Sequence, residues 1–168
     1  MDLIFHFKDA HRRPQSASFE VREHTFGGRS RASLVVPAAS RVTWPLFVPH
    51  RARLRVLAGV PAANGPGAVA VRMGISDERR YETLHEQIVT SAECAAGWVP
   101  VEADLSAYAG RQFSLFFRPD ERKWNIVIAT HPTQGSPPFV ALGEPGIDAD
   151  LESAREYRER LIAAQSGR

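Results

Sequence analysis

The sequence contains a single cysteine, Cys94, among 168 residues. An intrachain disulfide is therefore excluded, but a chain of this length can bury a sufficient core without covalent staples. A catalytic thiol needs a neighbouring base or a helix N-terminus to lower its pKa. Cys94 lies in a plain Ala-Glu-Cys-Ala-Ala segment, so we predict that it is a passive, small side chain.

Long hydrophobic runs are also missing, and none approaches the roughly 20 residues that a membrane-spanning helix requires. The segment from Met1 to Lys8 has charges on both sides of a very short apolar stretch. It lacks the basic start, the apolar centre and the small-residue cleavage site of a signal peptide. We therefore expect a cytoplasmic chain, unless it is one domain of a longer exported protein.

Lysine is almost absent: Lys8 and Lys123 are the two lysines, and the other 19 of the 21 basic residues are arginine. The formal net charge is only +2, because 19 acidic residues accompany them. Nucleic-acid-binding proteins usually concentrate positive charge on one face, with aromatic residues between the charges. The arginines here are spread along the chain, so a nucleic-acid partner is not expected.

The common catalytic motifs of hydrolases, nucleotide-binding proteins and dinucleotide-binding enzymes are absent. The six histidines do not lie at the i, i+2 or i+4 spacings of a local metal pair. The pair Asp148 and Asp150 is explained more simply by a helix cap than by calcium binding. We predict no enzyme activity and no cofactor. A structural calcium ion held by loop carbonyls would leave no signal in the sequence and stays open.

Alternation of apolar and polar residues, which is typical of half-buried strands, runs through most of the chain. Short strands separated by turn signals predict an antiparallel β-sandwich rather than a βαβ fold. Arg51–Val60 and Val69–Ile75 are predicted to be neighbouring antiparallel strands joined by the Pro- and Gly-rich loop 61–67. Tyr81–Val89 is predicted to be another strand, and because its pattern is mixed a helix is the open alternative. The other predicted strands are Leu3–Phe7, Phe19–His24, Arg31–Val36, Ser40–Val48, Trp98–Ala103, Phe113–Phe117, Trp124–Ala129 and Phe139–Leu142.

The alternation of apolar and polar residues ends after Gly146. This change divides the chain into a β-sandwich domain, 1–147, and a C-terminal helix or linker, 148–168. Asp148 is a candidate cap for this helix, and acidic residues occupy its first turn, where they suit the helix dipole. A weak apolar stripe includes Leu151, Leu161 and Ile162. The helix is expected to pack on the sandwich or to link to another segment. The alternative is a docking or self-association helix, which would make the protein a homo-oligomer.

Two segments resemble a known family when they are read in order. The run from Trp98 to Phe117 contains Asp-Leu-Ser-Ala-Tyr-Ala-Gly, and it is similar to a run in galactose-binding-like jelly-roll domains of bacteria. The segment Ala141–Ile147 resembles their closing strand, with Leu142 where tryptophan is usual. The resemblance covers about 31–147. It implies a jelly-roll accessory domain of the kind found beside sulfatases, glycosidases or glycosyltransferases.

The long run also has a physical interpretation of its own. Asp104 and Ser106 are expected to hydrogen-bond nearby backbone N–H groups and to fix a turn. Tyr108 is expected to pack across that turn, and Gly110 to take a conformation that other residues avoid. Trp98 would close the edge of the core. On this interpretation the motif builds a corner of the fold and binds no ligand.

A glycan-binding site needs exposed aromatic faces and a few polar side chains around a hollow. The candidates stand at predicted turns or strand ends: Trp124, Tyr81, Asp77, Glu78, Arg79, Arg122 and Asn125. The alternative places Trp124 in the core and the charged residues on a solvated rim. We predict a non-catalytic accessory module whose ligand is a carbohydrate. The alternative function is a protein-interaction or scaffold domain that docks on a catalytic partner or self-associates.

Overall fold

The computed structural model describes residues 1–15, 18–49, 51–77, 79–109, 124–149, 159 and 162–163. Its strands are β1 (His11–Arg13), β2 (Glu20–Phe26), β3 (Arg29–Val36), β4 (Ser40–Leu46), β5 (Arg53–Gly59), β6 (Ala68–Ser76), β7 (Tyr81–Thr90), β8 (Val99–Asp104), β9 (Trp124–Gln134) and β10 (Val140–Asp148). Two short helices, α1 (Ser91–Ala96) and α2 (Ser106–Ala109), flank β8. Within these ranges no helix is both long and apolar enough to cross a bilayer.

The strands form two antiparallel sheets of five strands each, as counted over the described residues. Sheet I has the order β1-β4-β9-β6-β7, and sheet II has the order β2-β3-β10-β5-β8. Alternate residues of the strands β3 to β6 and β8 to β10 point into the space between the sheets, where they form one continuous hydrophobic core. The β-sandwich predicted from the sequence is therefore confirmed.

The strands β5 and β6 are both present, but their predicted pairing is wrong. β5 lies in sheet II between β10 and β8, whereas β6 lies in sheet I between β9 and β7. The loop between them passes from one sheet to the other. Leu54 and Val56 of β5 and Val71 and Met73 of β6 are all buried in the shared core. Inward alternation looks the same in the sequence whether two strands pair side by side or face each other across the core.

The N-terminal segment differs from its prediction as well. Leu3–Phe7 forms turns and the start of a short 3-10 helix, Phe7–Asp9, rather than a strand. Leu3 is fully buried, and its carbonyl accepts a hydrogen bond of 3.1 Å from Nε1–H of Trp44. Leu3 and Phe7 thus cover the core without joining a sheet, whereas Phe5 is exposed.

The predicted strand Phe113–Phe117 lies outside the described residues. So does most of the predicted C-terminal helix, of which only 159 and 162–163 are described. Asp148, the candidate cap of that helix, is the last residue of β10, and its carboxylate accepts a hydrogen bond of 2.5 Å from Nε of Arg55. The helix itself remains a prediction.

The corner predicted around Asp104 is present. The Asp104 carboxylate accepts hydrogen bonds from the backbone N–H and the hydroxyl of Ser106, at 2.8 and 2.6 Å. Tyr108 is buried, and its hydroxyl donates a hydrogen bond to the Glu82 carboxylate of β7. The corner therefore joins the end of β8 to the edge of sheet I. Gly110 lies outside the described residues.

Candidate functional site

The outward side of sheet I carries a continuous set of polar and aromatic side chains. Pairing between strands aligns Pro45 of β4, Asn125 of β9, Ser76 of β6 and Tyr81 of β7 in one row across the sheet. Neighbouring strands in a sheet lie about 4.8 Å apart, so this row places Asn125 two strands from Tyr81. The two residues are separated by 44 positions in the chain but share one face.

The Tyr81 ring lies across this face rather than pointing away from it. Its phenol end covers Gly74 of β6, where any β-carbon would overlap the ring. The guanidinium carbon of Arg41 lies 5.5 Å from the ring centroid, within the range of a cation–π contact. Tyr81 nevertheless keeps 40% of its surface exposed. Gly74 and Arg41 therefore hold an accessible aromatic ring in a defined position.

A second row crosses the same face and is rich in arginine. It runs from Arg13 of β1 through Arg41, Ala129 and Arg72 to Glu86 of β7. Nε of Arg72 donates a hydrogen bond of 3.0 Å to the Glu86 carboxylate. Beside this pair is a hollow of about 380 Å³, whose lining includes Arg72, Glu86, His131 and Thr133. We refer to the surface formed by Arg13, Arg41, Arg72, Tyr81, Glu86, Asn125 and His131 as the Tyr81 face.

Of the residues singled out in the sequence, Tyr81 and Asn125 belong to this face. Asp77 and Arg79 lie at the β6–β7 turn beside it. The Asp77 carboxylate accepts hydrogen bonds from the backbone N–H groups of Arg79 and Arg80, at 3.0 and 2.9 Å. Asp77 thus shapes the turn from which Tyr81 emerges, and the Arg79 side chain is exposed at its tip.

The prediction that Trp124 offers its ring to a ligand is wrong. Trp124 is only 6% exposed and points into the core, where its ring packs edge to face on Tyr108 with the centroids 5.3 Å apart. Leu142 is fully buried too, so its position faces the core and would not present a stacking surface. Arg122 and Glu78 lie outside the described residues.

Sequence reasoning missed the other five members of the face, which are Arg13, Arg41, Arg72, Glu86 and His131. Each stands at an outward position of a strand, and the alternation of β4 and β6 does indicate that Arg41 and Arg72 point away from the core. The alternation of apolar and polar residues does not predict the order of the strands in the sheet. Only the order β1-β4-β9-β6-β7 places these side chains beside Tyr81.

The outward side of sheet II is organised differently. Four rings, those of His24, Phe26, Trp98 and Phe139, contact one another with centroid distances between 4.8 and 5.1 Å. Phe26 is buried, and Nε1–H of Trp98 donates to the Arg29 carbonyl at 2.9 Å. These rings cover much of their own surface and extend the core. Sheet II therefore presents a packed outer side, whereas Tyr81 on sheet I is 40% exposed.

Among the titratable groups of the described residues, two have shifted pKa values, and both shifts come from the fold. Hydrogen bonds from the Ser106 hydroxyl and backbone lower the pKa of the Asp104 carboxyl. Burial raises the pKa of the Cys94 thiol. Neither residue belongs to the Tyr81 face. Across the part of the chain that the structure describes, no cluster of three or more His, Cys, Asp or Glu side chains could hold a metal ion.

No protein-family model and no curated protein sequence matches the chain. Solved structures do match. The CBM22-1 and GH10 modules of a Clostridium thermocellum endo-1,4-beta-D-xylanase, complexed with xylohexaose, align with 86% of this chain at 12% identity and a TM-score of 0.50. The chain has the galactose-binding-like β-sandwich fold. It spans 27% of the length of that xylanase chain.

Two further structures align at lower TM-scores. The CBM22-2 xylan-binding domain of Paenibacillus barcinonensis covers 84% of this chain and 91% of its own, with 9% identity and a TM-score of 0.48. The module TmCBM61, solved with beta-1,4-galactotriose, covers 86% and 90%, with 10% identity and a TM-score of 0.47. The alignment with the clostridial xylanase modules, at a TM-score of 0.50, confirms the resemblance found in the sequence at the level of the fold.

Proposed function

We propose that this protein is a non-catalytic module that binds a carbohydrate on the Tyr81 face. One observation carries the proposal: an exposed aromatic ring is held flat over a glycine on the outward side of sheet I. Sugar rings have apolar C–H faces, and these stack on aromatic side chains that combine an apolar body with a polar end. Tyr81 supplies such a platform, and Gly74 provides the space that lets the ring lie down.

The neighbours of Tyr81 supply the polar groups that a sugar requires. The Asn125 amide both donates and accepts hydrogen bonds, and the Arg41 guanidinium donates several in a fixed plane. Both side chains stand on strands inside a five-stranded sheet. Groups on strands are held more rigidly than groups on loops, so little conformational entropy would be lost when a ligand binds.

The proposal of a binding rather than a catalytic role rests on the same face. Glycoside hydrolysis generally uses two carboxyl groups about 5–9.5 Å apart across the scissile bond. Among its described residues the Tyr81 face has one carboxylate, Glu86, which already pairs with Arg72. The other side chains on the face are guanidinium, amide, phenol and imidazole groups. These groups suit the recognition of hydroxyls and of charge.

The structure of the clostridial xylanase modules gives a starting probe, because it contains xylohexaose. The experiment measures binding of the purified chain to a glycan array and to xylohexaose in solution. The variant is Tyr81→Ala, and the matched control is Phe5→Ala, which removes a 73% exposed aromatic ring away from the face. Removing an aromatic side chain on which a nucleobase stacks costs about 1–3 kcal/mol of binding free energy, and we take the same range for a stacked sugar. We therefore expect roughly a tenfold or greater loss of affinity for Tyr81→Ala. Phe5→Ala should bind like the parent.

Two results would contradict the proposal. Glycan binding that Tyr81→Ala leaves intact would place the site elsewhere on the molecule. A folded protein that binds no glycan would remove the carbohydrate function and favour the alternative of docking on a protein partner. Size-exclusion chromatography with light scattering would then test self-association.

A further inference from the structure

Two arginines on the Tyr81 face stand directly opposite each other. Arg13 of β1 pairs with Arg41 of β4, and both side chains are exposed. Like charges placed opposite each other on neighbouring strands destabilise a sheet. Within the described residues neither guanidinium has a carboxylate within 4.0 Å. Arg72 lies two strands beyond Arg41, roughly 10 Å away.

The other sheet shows that this pattern is not a consequence of an arginine-rich composition. On the outward side of sheet II, four arginines each have a carboxylate partner. The pairs are Arg22–Glu20 at 3.8 Å, Arg31–Glu144 at 3.3 Å, Arg53–Glu102 at 3.3 Å and Arg55–Asp148 at 2.5 Å. Among the described residues, four of the five outward arginines of sheet II are therefore neutralised, with Arg29 as the exception. On the Tyr81 face only Arg72 is, and Arg13 and Arg41 have no carboxylate partner.

The charge balance of the Tyr81 face is positive as a result. Glu86 is its one carboxylate among the described residues, and Arg72 already engages it. Two arginines, Arg13 and Arg41, thus stand without a compensating carboxylate among the described residues of this face. A surface with charge of one sign attracts ligands of the opposite sign and raises their rate of association.

We propose that the ligand of the Tyr81 face is an acidic saccharide, whose carboxylate or sulfate oxygens bind between Arg13 and Arg41. This inference rests on the proposed carbohydrate function and names its ligand class. Because Arg41 lies 5.5 Å from the Tyr81 ring centroid, a sugar stacked on the ring has a guanidinium beside it. Guanidinium groups bind carboxylates, and tetrahedral oxyanions such as phosphate, through two parallel hydrogen bonds. The bound anion would also offset the repulsion between the two arginines.

A single-stranded nucleic acid is the other polyanion to consider. Its binding uses several aromatic side chains, on which successive bases stack along a positively charged groove. The described part of the Tyr81 face has one such ring, Tyr81. One ring with charges on one side fits a single stacked sugar better than a run of bases. Binding of a single-stranded nucleic acid is therefore measured beside binding of the saccharides.

The test compares polymers that differ in charge alone. Polygalacturonate is measured against its fully methyl-esterified form, and dextran sulfate against dextran, by isothermal titration calorimetry at low and high salt. Preference for the first acidic polymer identifies a carboxylate ligand, and preference for the second identifies a sulfate ligand. We expect at least one acidic polymer to bind tenfold or more tightly than its neutral partner, with affinity falling as salt rises.

The variants are Arg41→Gln and Arg13→Gln, with Arg53→Gln on sheet II as the matched control. We expect a roughly tenfold loss of acidic-polymer binding for each of the first two variants and none for the control. Arg13→Gln removes the repulsion between Arg13 and Arg41 and leaves the contact of Arg41 with Tyr81 in place. The melting temperature of this variant should therefore not fall, and its weaker binding would not reflect unfolding.

Each other outcome overturns the inference in an identifiable way. Neutral glycans that bind as tightly as acidic ones, in a manner that depends on Tyr81, would leave the proposed function standing and remove the acidic ligand. Acidic-polymer binding that survives Arg41→Gln would also contradict the inference. Tighter binding of oligo-dT than of any saccharide would replace it with a nucleic-acid ligand. Failure to bind any saccharide, acidic or neutral, would remove both proposals together.

Discussion

The ring of Phe26, at the end of β2, packs directly on the α-carbon of Gly59, at the end of β5. A β-carbon at position 59 would overlap this ring, whose Cδ2 would be 2.6 Å away. Phe26 is buried and also contacts Trp98 edge to face, with ring centroids 4.8 Å apart. The glycine therefore provides the space in which the aromatic cluster of sheet II forms.

We predict that Gly59→Ala lowers the free energy of unfolding by about 1–3 kcal/mol, because an extra methyl group in a packed site forces its neighbours to shift. Chemical denaturation measures the loss. The matched experiment introduces the same change in a Phe26→Leu background, where the smaller side chain leaves room. The two changes should be less than additive, and strict additivity would show that the ring does not fill the space above Gly59.

Most strands could be predicted from the sequence because alternation is a local property. The strands predicted around Arg31–Val36 and Tyr81–Val89 appear as β3 and β7 with boundaries shifted by two residues or fewer. The assignment of strands to sheets could not be predicted in the same way. Loop 61–67 reads equally well as a hairpin connection and as a crossing between sheets, so β5 and β6 were expected to pair.

The candidate site was only partly predictable for a related reason. Tyr81 follows a turn rich in polar residues, which favours exposure. Trp124 follows a similarly polar stretch of the sequence, but the strand it begins reads Trp-Asn-Ile-Val-Ile-Ala, with apolar residues on both sides. Alternation cannot say which side of such a strand faces the core. The position of Arg41 beside Tyr81 depends on strand order, which arises from contacts between residues far apart in the chain.

The hydroxyl groups of Ser40 and Thr130 form a buried hydrogen bond of 2.8 Å between β4 and β9. Thr130 also donates to the Pro37 carbonyl at 3.2 Å. We predict that Thr130→Val lowers the free energy of unfolding by about 1–3 kcal/mol, because it leaves buried polar groups without partners. Urea denaturation measures this change. In the double variant Ser40→Ala, Thr130→Val both hydroxyls are absent, so the total loss should be smaller than the sum of the single losses. A total equal to that sum would mean that the two hydroxyls act independently.

Cys94 is buried in α1, and its pKa is raised by that burial. Its sulfur accepts a hydrogen bond of 3.2 Å from the Val60 N–H, and its thiol lies 3.7 Å from the Ala58 carbonyl oxygen. We predict that the native protein reacts slowly with a thiol reagent at neutral pH, whereas the unfolded protein reacts fully. The reason is that both access and the thiolate form are disfavoured in the fold.

The raised pKa of Cys94 also determines how this residue makes the free energy of unfolding depend on pH. The unfolded chain releases the Cys94 proton near the ordinary pKa of about 8.5, before the folded protein does. Ionisation therefore favours the unfolded state, and this residue's contribution to the free energy of unfolding falls as pH rises above that value. The measurement is denaturation between pH 7 and pH 10 for the parent and for Cys94→Ala. The parent should lose more stability over this interval than the variant. Equal losses would show that the thiol does not titrate differently in the folded and unfolded states.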